Sequence, residues 1–318
     1  MPPITRIEIE NLRAFSVAEL GDLMQVHVLI GPNNVGKSTI FEAILRTARE
    51  RIPDVSPIRS ELQRLLRHRG EGDAAGPHSF FRDAHSFRCV LWWGNHWLAL
   101  SVVRSPGGAS VSVRDSNFDL RQGPPTITQI GSIACLRPPE LLGLRVEQEL
   151  WSRVLSNRKD RKLVEALGLV FNEPVEQVQL LPSGELYLLY PEHSVPLEGA
   201  SDGMRVVLRI LLVLMMVEGS TLCIDEPELF LDRLSLELFA KVLCRMAKSQ
   251  GTQLIISTHR LHALRAFGAA CLELDLPFAW HHLERGRDGK LHAQRFDQES
   301  LADFERSGRT PNFFGRYA

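Results

Sequence analysis

Gly31-Pro32-Asn33-Asn34-Val35-Gly36-Lys37-Ser38-Thr39 is the stretch on which the reading of this chain turns. It matches G-x-x-x-x-G-K-[ST]. The apolar run Gln25 to Ile30 precedes it, and STIFEAILRTARE, residues 38 to 50, follows with helical spacing. A strand, a glycine-rich loop and a helix in that order form a phosphate cradle. Glycines let the backbone fold back, so successive N–H groups point inward at phosphate oxygens. The helix adds the positive end of its dipole. Candidates for nucleotide contact are therefore Gly31, Asn33, Asn34, Gly36, Lys37, Ser38 and Thr39. Lys37 is expected at the β- and γ-phosphates and Ser38 on Mg²⁺. The alternative, a chance match, lacks this strand-before and helix-after context.

Further along, Leu222-Cys223-Ile224-Asp225-Glu226 is an apolar strand ending in two acids. Open α/β sheets place ligands at the carboxyl ends of their strands. Asp225 there suits the Mg²⁺ shell, and Glu226 suits the orientation or polarisation of an attacking water. Neighbouring strand residues point to opposite faces, so a bend at Pro227 is expected to bring Glu226 back. The competing reading is a solvated strand end. A second buried strand, Leu254 to His259, ends in Ser-Thr-His. His259 is a candidate γ-phosphate contact; alternatively, Ser257 or Thr258 serves as a helix N-cap. His262 reads as a surface helix residue.

Around these pieces the chain has an α/β rhythm. Helices at 203–218 and 233–248 alternate with the strands TLCIDE and QLIISTH, which predicts a parallel sheet. Residues 87–135 read as short antiparallel strands with PGG and QGPP turns. Residues 138–168 read as helical, and VEQVQLL with ELYLLY as a strand pair. Arg-Asp-Gly-Lys near the end marks a hairpin. A further helix is expected near Ser60 to Arg69. With 318 residues, 44% hydrophobic and 24% charged, the composition is that of a soluble globular protein. The net charge of -1 argues against a nucleic-acid coat protein. Five cysteines without a C-x-x-C pair exclude a zinc site or disulfide framework of the usual spacing. The opening residues lack a signal-peptide layout, and no run is long enough for a membrane span. A cytoplasmic location away from membranes is expected.

These motifs in this order resemble the ABC-type ATPase heads of the RecF, SMC and OLD-like group, and in particular stand-alone bacterial AAA family ATPases. The resemblance covers the chain in outline. The opening IEIENLRAF is similar to the group's first strand, with Arg13 near the nucleotide. Ser201-Asp202-Gly203-Met204-Arg205 stands where the ABC signature belongs, and Glu228 to Asp232 where the D-loop belongs. The resemblance implies a P-loop α/β fold with a mostly parallel sheet, an antiparallel β lobe and a short helical lobe. The whole chain, 1–318, would be one head. Its nucleotide-binding core would be 1–50 and 197–275, with a β lobe at 80–135, a helical lobe with hairpin at 138–196, and a C-terminal hairpin and helix at 276–318.

It further implies ATP and Mg²⁺ as cofactors and catalysis by Glu226, His259 and Lys37. A homodimer, or a higher oligomer, would sandwich ATP, with Ser201 and Gly203 meeting the partner's nucleotide and Asp232 of the D-loop segment also among the nucleotide contacts. Members often work beside a nuclease in anti-phage defence. Two departures stand out. The signature is SDGMR rather than the LSGGQ of transporters, and Gln63 is the only glutamine between 40 and 120, where a Q-loop would lie.

Three functions compete. The first is an ATP-driven dimer switch for a DNA or protein effector. The second is an ATP-binding scaffold with negligible turnover that holds a nuclease complex. The third is a small-molecule kinase, for which no acceptor pocket or lid is legible. DNA contact has two candidate basic runs, Arg59/Arg64/Arg67/His68/Arg69 and Arg158/Lys159/Arg161/Lys162, each equally readable as a solvated helix face.

Overall fold

A computed structural model describes residues 3–13, 15–49, 86–105, 108–115, 133–136 and 147–307. The chain opens with β1 (Arg6–Glu10), β2 (Val17–Leu20), β3 (Val26–Ile30) and helix α1 (Lys37–Arg49). Strands β4 (Ser86–Trp93), β5 (His96–Ser105), β6 (Gly108–Asp115) and β7 (Ile133–Leu136) follow. Then come α2 (Glu147–Ser156), α3 (Asp160–Phe171), β8 (Gln177–Leu180), β9 (Leu186–Leu189) and β10 (Ser194–Pro196). The last part holds α4 (Asp202–Met216), β11 (Thr221–Asp225), α5 (Arg233–Gln250), β12 (Gln253–Thr258), α6 (Leu261–Glu273), β13 (Phe278–Arg285), β14 (Leu291–Asp297) and α7 (Gln298–Ser307).

The central sheet has six strands in the order β14-β13-β3-β12-β11-β7. All neighbours from β13 to β7 are parallel, and β14 closes one edge antiparallel. Every residue of β3, β11 and β12 is buried, as expected for parallel strands covered on both faces. Alternating side chains feed two cores. Val26, Val28, Leu222, Ile224, Leu254 and Ile256 pack with helices α2 to α6. Leu29, Cys223 and Ile255 pack with α1 and the antiparallel strands. Helix α4 runs through the first core with twelve of its residues buried.

The second sheet is antiparallel, in the order β2-β1-β4-β5-β6. It therefore draws its first two strands from the start of the chain, with Ile9 opposite both Ala18 and Cys89. A three-stranded sheet, β10-β9-β8, follows α3.

Two expectations change. Ile133–Leu136, read as part of the antiparallel lobe, pairs in parallel with β11, Cys223 opposite Cys135; a four-residue apolar strand carries no local mark of its partner. The helix read across 138–168 is broken, over its described part, into α2 and α3. Arg158 between them adopts φ 54°, and the amides of Arg158 and Lys159 bond to the carbonyls of Leu155 and Val154, which closes α2. The helix near 60–69, the basic run there and Gln63 lie outside the described residues. Among the described residues, no helix is long and apolar enough to cross a membrane.

Candidate functional site

The loop between β3 and α1 sits where three strand ends converge, since Ile30 is paired with both Thr258 and His282. Its shape depends on two glycines. Gly31 lies so close to the Leu283 carbonyl that a Cβ would meet that oxygen at 2.7 Å. Gly36 has φ +112°, and a Cβ there would overlap the Phe15 ring. Phe15 is wholly buried and belongs to the turn after β1. Asn34 takes a left-handed φ of 64°, a conformation asparagine tolerates better than most residues. Asn33 and Asn34 are exposed, and Thr39 is buried at the start of α1.

Lys37 turns back over this loop. Its ammonium donates to the carbonyls of Gly31 (2.9 Å) and Pro32 (3.1 Å), and lies 4.0 Å from Glu226 Oε1. Burial pushes its pKa down, while the carboxylates of Glu226, Asp225 and Glu228 pull it back up. Ser38 donates its hydroxyl to Asp225 Oδ2 at 2.6 Å, across 187 residues of sequence. Asp225 accepts a second hydroxyl, from Ser257, at its other oxygen. The pair Ser38 Oγ and Asp225 is a set of hard oxygen donors, the chemistry that suits Mg²⁺.

Glu226 follows Asp225 but turns the opposite way from a continuing strand. The bend lies at Glu226 itself, with φ 56° and ψ 57°, and not at Pro227. Pro227–Phe230 then forms a single 3-10 turn. A left-handed, non-glycine residue is uncommon and concentrates at functional sites. Its amide donates to the Ser257 carbonyl (3.0 Å), and its Oε1 lies 3.1 Å from His259 Nδ1. Lys37, Ser38, Asp225, Glu226 and His259 thus converge as their spacing in the chain could not show.

The N-cap alternative for Ser257 and Thr258 does not hold. Helix α6 begins after Arg260, which makes no side-chain cap, and both hydroxyls donate to the acids. Thr258 donates to Glu228, a residue that sequence reasoning assigned only to the D-loop segment. His262 lies in the first turn of α6 at intermediate burial.

Other candidates sit further out. Arg13, in the turn after β1 with φ 49°, pairs with Glu42 of α1 at 2.8 Å. Ser201 is the N-cap of α4, accepting from the Met204 amide at 3.2 Å. Gly203 was expected to allow close approach of an anion. Its close neighbour is within the chain: a Cβ would meet the Phe230 carbonyl at 2.6 Å, so the glycine lets α4 pack on the turn after Glu226. Asp232 is the N-cap of α5; it accepts from the Ser235 hydroxyl (2.7 Å) and amide (3.0 Å), and these bonds hold its carboxyl below the usual range. Beside Ser201 opens a cavity of about 600 Å³ lined by Glu173, Tyr190, His193 and Met204 among others. Of the second basic run, Arg158, Arg161 and Lys162 are exposed, whereas Lys159 pairs with Glu218 at 2.7 Å.

Residues 156–265 match the family model described as an AAA domain, putative AbiEii toxin, type IV TA system. No curated protein matches the chain in sequence. Solved structures do match in fold. The SMC head domain from Thermotoga maritima aligns with TM-score 0.55 at 14% identity, over 93% of this chain and 99% of that one. An SMC head bound to the C-winged helix domain of ScpA gives 0.63 at 16%, over 95% and 100%. An SMC head with an extended coiled coil bound to the C-terminal domain of ScpA, derived from Pyrococcus furiosus, gives 0.58 at 13%, over 98% and 100%.

Proposed function

We propose, starting from a chain that has the fold of an ABC-type ATPase head of the RecF and SMC kind, that it hydrolyses ATP with Mg²⁺ and uses the nucleotide to close a homodimer. The observation that carries this is the Ser38–Asp225 contact of 2.6 Å beside Lys37, with Glu226 and His259 on the same side. In this reading the loop amides from Gly31 to Thr39, with Asn33 and Asn34 on its rim, surround the phosphates, and Lys37 exchanges its carbonyl partners for the β- and γ-oxygens. Ser38 and Asp225 hold the metal, which when bound neutralises charge developing on the phosphates. Glu226, held by His259 and turned back by its own backbone, orients water for attack. His259 reports the γ-phosphate, and Arg13 lies near the nucleotide.

Ser201 with the N-terminus of α4 offers a second anion-binding end, so each site would be completed by a partner subunit's signature, with Asp232 near the join. The solved SMC heads that bind ScpA are similar in fold, which supports a protein effector for this head. A nuclease or DNA as that effector, and a role in anti-phage defence or DNA maintenance, are the biological setting we infer.

The test is Glu226→Gln. It should retain ATP and accumulate dimer by mass measurement in solution, while phosphate release falls by about 100-fold or more, the usual loss on removing a positioned base. Normal hydrolysis by that variant would remove the catalytic assignment. Negligible release by the unsubstituted protein at saturating ATP, with or without DNA, would favour the scaffold instead.

A further inference from the structure

Three consecutive residues at the end of β12 and just past it are matched one to one with three acids at the end of β11 and just past it. Ser257 bonds to Asp225, Thr258 to Glu228, and His259 to Glu226. Two of these acids have roles in the reading above. Glu228 has none, yet it is the most deeply buried of the three, at 1% exposure against 7% for Asp225. A closed-off carboxyl cannot touch a nucleotide. It is also unfavourable in a protein interior unless bonded, so a leucine would fill this place at lower cost if filling were all that mattered.

We propose that Glu228 is a positioning residue: its buried carboxyl straps the turn after the acid pair to the end of β12 and so fixes the contact between Glu226 and His259. The geometry is a chain of bonds. The amide of Arg260 donates to Thr258 Oγ1 (2.9 Å), and that hydroxyl donates to Glu228 Oε1. Glu228 Oε1 lies 4.0 Å from His259 Nδ1, immediately behind the 3.1 Å contact that His259 makes with Glu226. Glu228 Oε2 is buried with no hydrogen-bond partner among the described residues. Burial is also the main reason its carboxyl is held above the usual range, so a neutral acid or amide fits this place. Because residues 257 to 259 are consecutive, a slip at Thr258 moves the His259 ring directly. The inference rests on the hydrolysis reading above.

The experiment compares Glu228→Ala, Glu228→Gln, Thr258→Val and the Ala/Val double variant in phosphate release, ATP affinity and thermal unfolding, with Glu226→Gln in the same assay. Glu228→Ala should lower kcat about 10-fold with KM for ATP within about twofold, the signature of an interaction needed only for the chemical step. Glu228→Gln should restore most of the rate, since the amide keeps an acceptor for Thr258. The double variant should be no worse than the poorer single one, as for two ends of one strap. Unchanged kcat in both Glu228→Ala and Thr258→Val would overturn the inference, as would equal loss of affinity and kcat in all three single variants. If Glu228→Ala does not fold, Thr258→Val with a normal rate overturns it alone. Should Glu226→Gln hydrolyse ATP normally, the hydrolysis reading fails. Should it stop while the Glu228 and Thr258 variants run normally, only this inference fails.

Discussion

Gly36 shows how a single position can be fixed twice over. Its φ of +112° is one that side chains other than hydrogen rarely adopt, and the Phe15 ring occupies the space a Cβ would need. Gly36→Ala therefore carries backbone strain of about 1–3 kcal/mol in addition to displacement of a buried ring. We expect a lower melting temperature together with loss of ATP·Mg²⁺ binding in a calorimetric titration, because the amides on either side would no longer point inward. A variant that binds as well as the parent would show that the loop's shape is not what holds phosphate. The glycines could be read from the motif. Phe15, 21 residues upstream in the turn after β1, could not, since nothing in its own neighbourhood marks it as a lid on Gly36.

Between elements, the join of β3 and β13 carries a titratable pair. His27 and His281 are both buried. The Met24 amide donates to His27 Nδ1, which leaves Nε2–H of His27 to donate to His281 Nδ1 at 2.7 Å. Both rings are thus neutral. Burial, then His281 and Arg295, holds His27 well below its ordinary value. Burial and then Arg295, against Asp22, holds His281 at about 4. A folded value below the unfolded one means that the unfolded chain binds more protons as pH falls. The stability these neutral rings contribute is complete above the unfolded value of about 6.5 and is lost progressively as pH falls below it, for His281 toward about 4. Denaturant titrations should show a loss on the order of 2 kcal/mol from His281 between about pH 7 and pH 5, with His27 acting in the same direction. Equal stability at both would contradict the neutral pair.

At the scale of the whole molecule, the side chain of Gln253 ties distant segments together. Its oxygen accepts from the Ile4 amide (2.9 Å) and the Thr221 hydroxyl (3.0 Å), and its nitrogen donates to the carbonyls of Ile4 (2.8 Å) and Met24 (3.1 Å). Gln253→Leu would leave buried backbone groups of Ile4 unpaired, at about 1–3 kcal/mol each. Thermal unfolding should show a drop of several degrees, with the loss concentrated at the join of the two sheets. A change of less than about 1 kcal/mol would mean that water or rearrangement replaces these bonds. The sequence by itself determined the strand–loop–helix at 25–50, the acid-tipped and histidine-tipped strands, and the parallel order of the second half. Each of those follows from residues adjacent in the chain: alternation, turn glycines, a charge at a strand end. The tertiary structure alone decided that Ser38 meets Asp225, that β7 lies beside β11, that Gly203 packs on Phe230, and that Thr258 bonds to Glu228. Those contacts join residues tens to hundreds of positions apart, and their geometry is set by how two cores fill the two faces of one sheet, which no local pattern encodes.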